Sequence, residues 1–403
     1  MRQATSYGEI KPLVEFCKAG RLFDVQEWIA SGKPVNLPLE REKRARRRSP
    51  LKIAMEKGFH SLVQVLVEGG AQIDEEGFSA LHHAVSVRRF DLIQLLVENG
   101  ADIHSVRMDT VFDSWQPAIF EYFLERGADV ETGYPLAIAL IWKVRTALGF
   151  FKRYKDRFPS FQEQINIALR HHCYEGNLKW VSLLLWAGAD PLARGPKDIG
   201  EEPDPEEDYN ALHWAAFKGH AEIFKLKKIV LDPNHPDSPR LLREACYPDS
   251  DEILRLLLEK GFNPSDLQDG GSDLIGSLVS GMSWRFDWWD DWRHRRVEKN
   301  IDSSSARDKM KMLHLLVRHG VKWNPCDGTE IKSIRRSLLK LTADYTVELI
   351  WILFGYKAAR PEDIEELIKA PSMRKHIVNH LPRFNGLIQS LRIAHPADEK
   401  ELS

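Results

Sequence analysis

The feature that most constrains this chain is that it repeats itself. Ser49-Pro-Leu-Lys-Ile-Ala-Met-Glu-Lys-Gly58 leads into His60-Ser-Leu-Val-Gln-Val-Leu-Val-Glu-Gly-Gly70-Ala-Gln-Ile-Asp74. About 30 residues later, Ser79-Ala-Leu-His-His-Ala84 leads into Leu92-Ile-Gln-Leu-Leu-Val-Glu-Asn-Gly-Ala-Asp-Ile103. A period of this size marks a supersecondary unit that cannot bury its apolar face alone and must stack on its neighbours. Apolar residues recur at three- and four-residue spacing in both halves of the unit, which predicts two short amphipathic helices. Ser49 suits a helix N-cap and Pro50 the first helical position. Gly58 suits the turn out of the first helix, and Gly70 the left-handed position after the second. The length, 403 residues, exceeds what one hydrophobic core usually serves, and a stacked array answers that too.

These residues resemble the ankyrin family. Its T-P-L-H first-helix motif stands here as Ser49-Pro50-Leu51-Lys52, Ser79-Ala80-Leu81-His82 and Asn210-Ala211-Leu212-His213. Its G-A-D ending recurs at Gly100-Ala101-Asp102, Gly127-Ala128-Asp129 and Gly188-Ala189-Asp190, with weaker endings at Gly32, Gly261 and Gly320. Tyr134-Pro-Leu-Ala-Ile-Ala139 supplies a start between Gly127 and Gly188. The resemblance runs over roughly residues 10 to 370 and implies an all-α ankyrin-repeat solenoid of about nine to eleven stacked helix pairs, several degenerate. It further implies that His82 and His213 are structural, tying adjacent units by side-chain hydrogen bonds. Lys52 departs from that pattern.

The expected organisation is an N-terminal capping repeat over 1–36, a basic insertion over 37–48, repeats over 49–195, and an acidic loop over 196–208. Repeats resume over 209–281, are interrupted by a Trp/Arg-rich insertion over 282–307, and become degenerate over 308–382, before a tail over 383–403. The basic insertion carries Arg41 to Arg48, and reads either as a solvated charge run or as a patch for phosphate or an acidic partner. In the acidic loop Pro203 and Pro205 interrupt Glu201, Glu202, Asp204, Glu206, Glu207 and Asp208, which excludes a buried helix. The third insertion places Trp284, Trp288, Trp289 and Trp292, four of the twelve tryptophans, beside Arg293 and its neighbouring arginines. Such rings anchor an interface, stack nucleobases, or pack an inserted helix onto the array.

Catalytic signatures are missing from the sequence: it contains no G-x-S-x-G elbow, P-loop, H-E-x-x-H or dinucleotide fingerprint, so no catalytic residue is assigned. Cys17, Cys173, Cys246 and Cys326 are widely spaced without a C-x-x-C pair, and His82-His83 and His171-His172 are adjacent rather than convergent. No metal and no cofactor is expected. Formal net charge is −2, so an electrostatic partner must find a local patch. No apolar run approaches the roughly 18 residues needed to span a bilayer, no apolar leader is evident, and a cytoplasmic address is expected.

The resemblance implies that a partner protein meets the concave side made by the first helices. Matched to the family motif, the exposed inner-helix positions are Ile53, Glu56 and Lys57; His83, Ser86 and Val87; His171, Tyr174 and Glu175; and Trp214, Phe217 and Lys218. The expected partner surface comprises His83, Ser86, His171, Tyr174, Trp214, Phe217 and Lys218, with Trp284, Trp288, Trp289, Trp292 and Arg293. The function expected is a protein-interaction scaffold, in a narrower form an inhibitor or defence-associated protein. The alternative from another class is nucleic-acid binding through Arg41 to Arg48 and Arg285 to Arg296.

Overall fold

A computed structural model describes residues 3–38, 48–75, 77–200, 208–264, 274–283, 303–323, 325, 328–380 and 382. The chain forms two compact bodies. The first comprises 1–168 with short pieces 187–189 and 198–201; the second comprises 169–186, 190–197 and 202–403.

In the first body, helices alternate as inner and outer members of successive pairs. They are α1 (Tyr7–Ala19) with α2 (Leu22–Ala30), α3 (Pro50–Lys57) with α4 (His60–Glu68), α5 (Ala80–Ser86) with α6 (Phe90–Glu98), α7 (Met108–Asp113) with α8 (Pro117–Glu125), and α9 (Pro135–Ile141) with α10 (Thr146–Tyr154). Inner packs on inner along α1, α3, α5, α7 and α9, and outer on outer along α2, α4 and α6. The division between bodies falls within α11 (Ser160–Tyr174).

The second body continues with α12 (Leu178–Ala187), α13 (Ala211–Lys218), α14 (Ala221–Phe224), α15 (Ser238–Glu244) and α16 (Glu252–Glu259). Then follow α17 (Leu274–Ser283), α18 (Ser303–Arg318), α19 (Gly328–Leu338), α20 (Ala343–Gly355), α21 (Pro361–Ile368) and α22 (Pro371–His376). Here α13 packs on α15, α14 on α16, α17 on α19, α18 on α20, and α19 on α21. A two-residue hairpin, β1 (Asp74–Glu75) and β2 (Phe78–Ser79), is antiparallel with Asp74 opposite Ser79 and Glu75 opposite Phe78. Among the described residues no helix is long and apolar enough to cross a membrane.

The local rules explain the helices. Ser49 Oγ accepts from Lys52 N at 3.1 Å, Ser79 Oγ from His82 N at 3.3 Å, and Asn210 Oδ1 from His213 N at 2.9 Å, so the three motif starts are N-caps worth ~1 kcal/mol each. Pro50 stands at the first helical position. Leu51, Leu81 and Leu96 are almost fully buried, each contributing ~1.5–3 kcal/mol. Phe112, Phe120 and Phe150 fill the first body, Phe120 stacking on Phe150 at 3.8 Å. The endings at Gly32, Gly70, Gly100, Gly127, Gly188, Gly261 and Gly320 all have positive φ. At Gly70 (φ 85°) this left-handed turn lets Ala71 N reach Leu66 O.

A second left-handed residue follows each inner helix from α1 to α13: Gly20, Gly58, Arg88, Trp115, Lys143, Gly176 and Gly219. Carbonyls at these turns are met by a residue of the next pair that directly precedes its outer helix. Arg89 Nη1 donates to Gly58 O at 3.2 Å, Gln116 Nε2 to Arg88 O at 3.4 Å, and His220 Nε2 lies 2.9 Å from Tyr174 O. Lys309 of α18 makes the equivalent closure across a long separation, donating to Cys246 O (2.8 Å), Tyr247 O and Pro248 O (2.9 Å) after α15. Burial opposes its charge and pulls its pKa below the ordinary lysine value. The contacts are close: a Cβ on Gly176 would stand 2.5 Å from the His220 ring.

Two alanine substitutions should therefore differ in sign. Gly176→Ala combines φ 69° with the His220 collision and should lower stability by ~1–3 kcal/mol. Gly149→Ala, inside α10 with nothing within 4 Å, should raise it by ~0.5–1 kcal/mol. Urea unfolding followed by circular dichroism measures both.

Candidate functional site

The second body gathers aromatic rings and cations around α11, α13 and α15. Trp214 of α13 meets Tyr209 edge-on at 4.7 Å, Tyr174 at 5.5 Å and Phe217 at 6.3 Å, and Phe217 continues to Tyr247 at 5.4 Å. Lys197 Nζ lies 5.1 Å from the Trp214 ring and 5.4 Å from Tyr174; Lys218 Nζ lies 4.6 Å from Tyr174. Arg240 stands over Tyr209 at 4.4 Å. Cations over ring faces are worth ~0.5–2 kcal/mol and hold the lysine heads at the rings. The row runs from the buried Trp214 through the half-buried Tyr174 and Phe217 to the exposed Tyr247 and Lys218.

Three readings of the inner helices are corrected. Trp214 is 5% exposed, because Tyr174, Tyr209 and Phe217 enclose it, so it supports the surface instead of forming it. Its Nε1–H finds no acceptor among the described residues. Ile53 is 4% exposed, since α3 is packed by both α1 and α5. His82 is exposed and lies beside Ser86 of its own helix, so it does not tie neighbouring pairs.

The remaining candidates are dispersed. His83 is half-buried against Phe78, and Ser86 is exposed with its hydroxyl donating to His82 O. Both lie in the first body. His171 is half-buried beside His172, which stacks on Trp180. Tyr174, Phe217 and Lys218 come together in the cluster. Trp284, Trp288, Trp289, Trp292 and Arg293 lie outside the described residues, as do Arg41 to Arg47, Glu201 to Glu207 and Cys326. Arg48 pairs with Glu56 at 2.8 Å. Sequence reasoning missed Lys197, Tyr209, Arg240 and Tyr247, none of which occupies a motif position.

Beneath the rings lies a polar layer. Asn210 N donates to His213 Nδ1 at 3.2 Å, reciprocating the N-cap bond, and Asn210 Nδ2 donates to Asp237 Oδ2 at 3.2 Å. Arg194 pairs with Asp237. Burial lowers the His213 pKa to about 4, so the ring is neutral near pH 7. Burial raises Glu244 to about 7, while the Tyr209 hydroxyl, hydrogen-bonded to it, pulls the other way. A shallow, mostly apolar cleft borders His213, lined by Leu192, Val230, His235 and Leu241. Among the described residues no three His, Cys, Asp or Glu side chains converge on a metal position. Cys17 and Cys246 are buried, their pKa pushed up to about 12 by desolvation, and Cys173 is buried and raised for the same reason.

The two buried groups have opposite linkage. Between pH about 4 and 6.5 the unfolded chain protonates His213 and the native state does not, so this term gains stability as pH rises. Between about 4.5 and 7 the native state keeps the Glu244 proton that the unfolded chain releases, so this term loses stability as pH rises. Glu244→Gln removes only the second. Its stability relative to wild type should grow by ~1–3 kcal/mol from pH 4.5 to 7, read from urea unfolding across that range.

The family model for ankyrin repeats (3 copies) matches residues 13–107. An ankyrin repeat and KH domain-containing protein of Caenorhabditis briggsae is 29% identical over 198 residues, 44% of this chain and 7% of its own length. Ankyrin repeat protein nuc-2 of Neurospora crassa is 26% identical over 195 residues, again 44% of this chain and 17% of its own length. This chain thus spans a small part of the curated relatives it matches. The human ASB11 ankyrin repeat domain covers 58% of this chain and 97% of its own at 19% identity, with a TM-score of 0.35. The Bcl-3 ankyrin repeat domain covers 61% and 97% at 18% identity, with a TM-score of 0.30. Repeats of this family generally mediate protein–protein interaction. With stacked helix pairs built on its motif positions and the family's repeats matched over residues 13–107, the chain carries ankyrin repeats.

Proposed function

We propose that the chain is a cytoplasmic, non-catalytic scaffold that binds another protein through its inner-helix face, with Tyr174, Phe217, Lys218 and Tyr247 as the contact surface of the second body. The observation carrying this reading is the graded ring cluster: a buried Trp214 fixes Phe217 and Tyr174, and these rings stand next to exposed Tyr247 and Lys218. Aromatic rings held rigidly by neighbours lose little entropy on binding, and aromatic and cationic anchors dominate interface energetics. Lys218 and Lys197, held over rings, favour an acidic rim on the partner. The narrower form of the proposal is that occupancy blocks the partner's own activity.

The test uses Phe217→Ala with Tyr247→Ala, leaving the buried Trp214 intact. Affinity capture with the full chain identifies a partner by mass spectrometry, and titration of that purified partner then follows. The double variant should keep the helical circular dichroism of wild type and bind at least ~30-fold more weakly, as loss of a hot spot implies. Unchanged affinity would move the contact away from this surface. Inhibition is tested by adding saturating chain to the partner's own assay; full retained activity sinks that narrower form.

A further inference from the structure

The turns that end the inner helices fall into two chemical sets. Gly20, Gly58, Gly176 and Gly219 occupy the left-handed position in four pairs, whereas three consecutive pairs carry Arg88 (φ 60°), Trp115 (φ 60°) and Lys143 (φ 68°) there. A bulky side chain in this conformation is strained. Strain retained at three successive turns, where glycine serves elsewhere in the same chain, points to a use for the side chains. All three are exposed. They are bordered by two further exposed apolar groups, Val87 at 46% and Trp142 at 64%, next to Trp115 at 42%. Arg145, at the start of α10, adds a third exposed cation; the exposed acids beside these turns are Asp113 and Asp91, the latter paired with Arg89. The result is a basic and aromatic edge on a chain whose net charge is only −2.

We infer that the edge formed by Arg88, Trp115 and Lys143 is a second recognition site, taking an extended acidic segment of a partner protein. The spacing sets the pattern. α5, α7 and α9 pack in sequence, and packed helix axes lie ~8–10 Å apart. An extended segment in the polyproline-II conformation rises ~3.1 Å per residue with three residues per turn, so side chains three apart share one face and bridge adjacent turns. A segment with an acidic residue, an apolar residue three places on and a second acidic residue three places further matches Arg88, Trp115 and Lys143 in order. Carboxylates pair with the two cations, and the apolar side chain lies on the indole. Cation, ring and cation at three successive turns favour this occupant over a bare apolar segment. The site is independent of the ring cluster proposed above.

Glycine substitution separates binding from folding, because it relieves the strain while deleting the side chains. The full chain, wild type and Arg88→Gly/Trp115→Gly/Lys143→Gly, is used to select from a random 12-residue peptide display library, and selected peptides are titrated at two salt concentrations. Wild type should enrich peptides carrying the acidic, apolar, acidic pattern, with affinity falling as salt rises. The triple variant should bind them at least tenfold more weakly with an unfolding midpoint no lower than wild type, and Phe217→Ala should bind them as wild type does. Enrichment without acidic residues, or equal binding by the triple variant, overturns the inference. So does tighter binding of single-stranded oligothymidine than of any selected peptide, which would assign the edge to nucleic acid.

Discussion

The array depends on how a short helix is brought to an end. An inner helix such as α3, eight residues long, cannot hold itself in water, and its last turn leaves carbonyls without partners. The left-handed turn satisfies some of them from within. Others are met from the next pair, by Arg89 at Gly58, Gln116 at Arg88 and His220 at Tyr174. At these turns a pair is completed, in its polar groups as well as its apolar ones, by a neighbour. That is why the motif is repeated and why stability is a property of adjacency.

The same constraint explains Lys309. The turn after α15 presents three consecutive carbonyls, and the nitrogen that meets them lies on α18, some sixty residues away. A lysine 4% exposed is costly to bury unless its donors are used, and here all three have acceptors. The closure seen between neighbouring pairs thus persists where the sequence period has been lost.

Around Trp214 the chemistry is that of a support. His213 and Glu244, which looked at singly have displaced pKa values of the kind found in catalytic sites, are both displaced by burial toward their neutral forms. Asn210 and Asp237 hold this layer together by hydrogen bonds and fix the platform on which the aromatic rings sit. Recognition needs such a floor, since a ring free to rotate gives back in entropy what it gains in contact.

Much of this was legible in the sequence. The period, Ser49 and Pro50 at a helix start, and glycines at the helix ends follow from backbone rules that act over a few residues, and these hold wherever the residues stand. A motif register was less reliable for exposure. It placed Ile53 and Trp214 on an open face, but burial is decided by what the next pair brings, which for Trp214 is Tyr174 and Tyr209 from outside its own helix. It assigned His82 a tie between pairs that its exposed position does not make. Left-handed Arg88, Trp115 and Lys143 carry no glycine signal at all, so only the folded backbone identifies them as occupants of one recurring turn. The sequence by itself determined the repeating unit, because capping and periodicity are local. Tertiary structure alone decided which side chains are surface, because in a stacked array every face is made by two pairs.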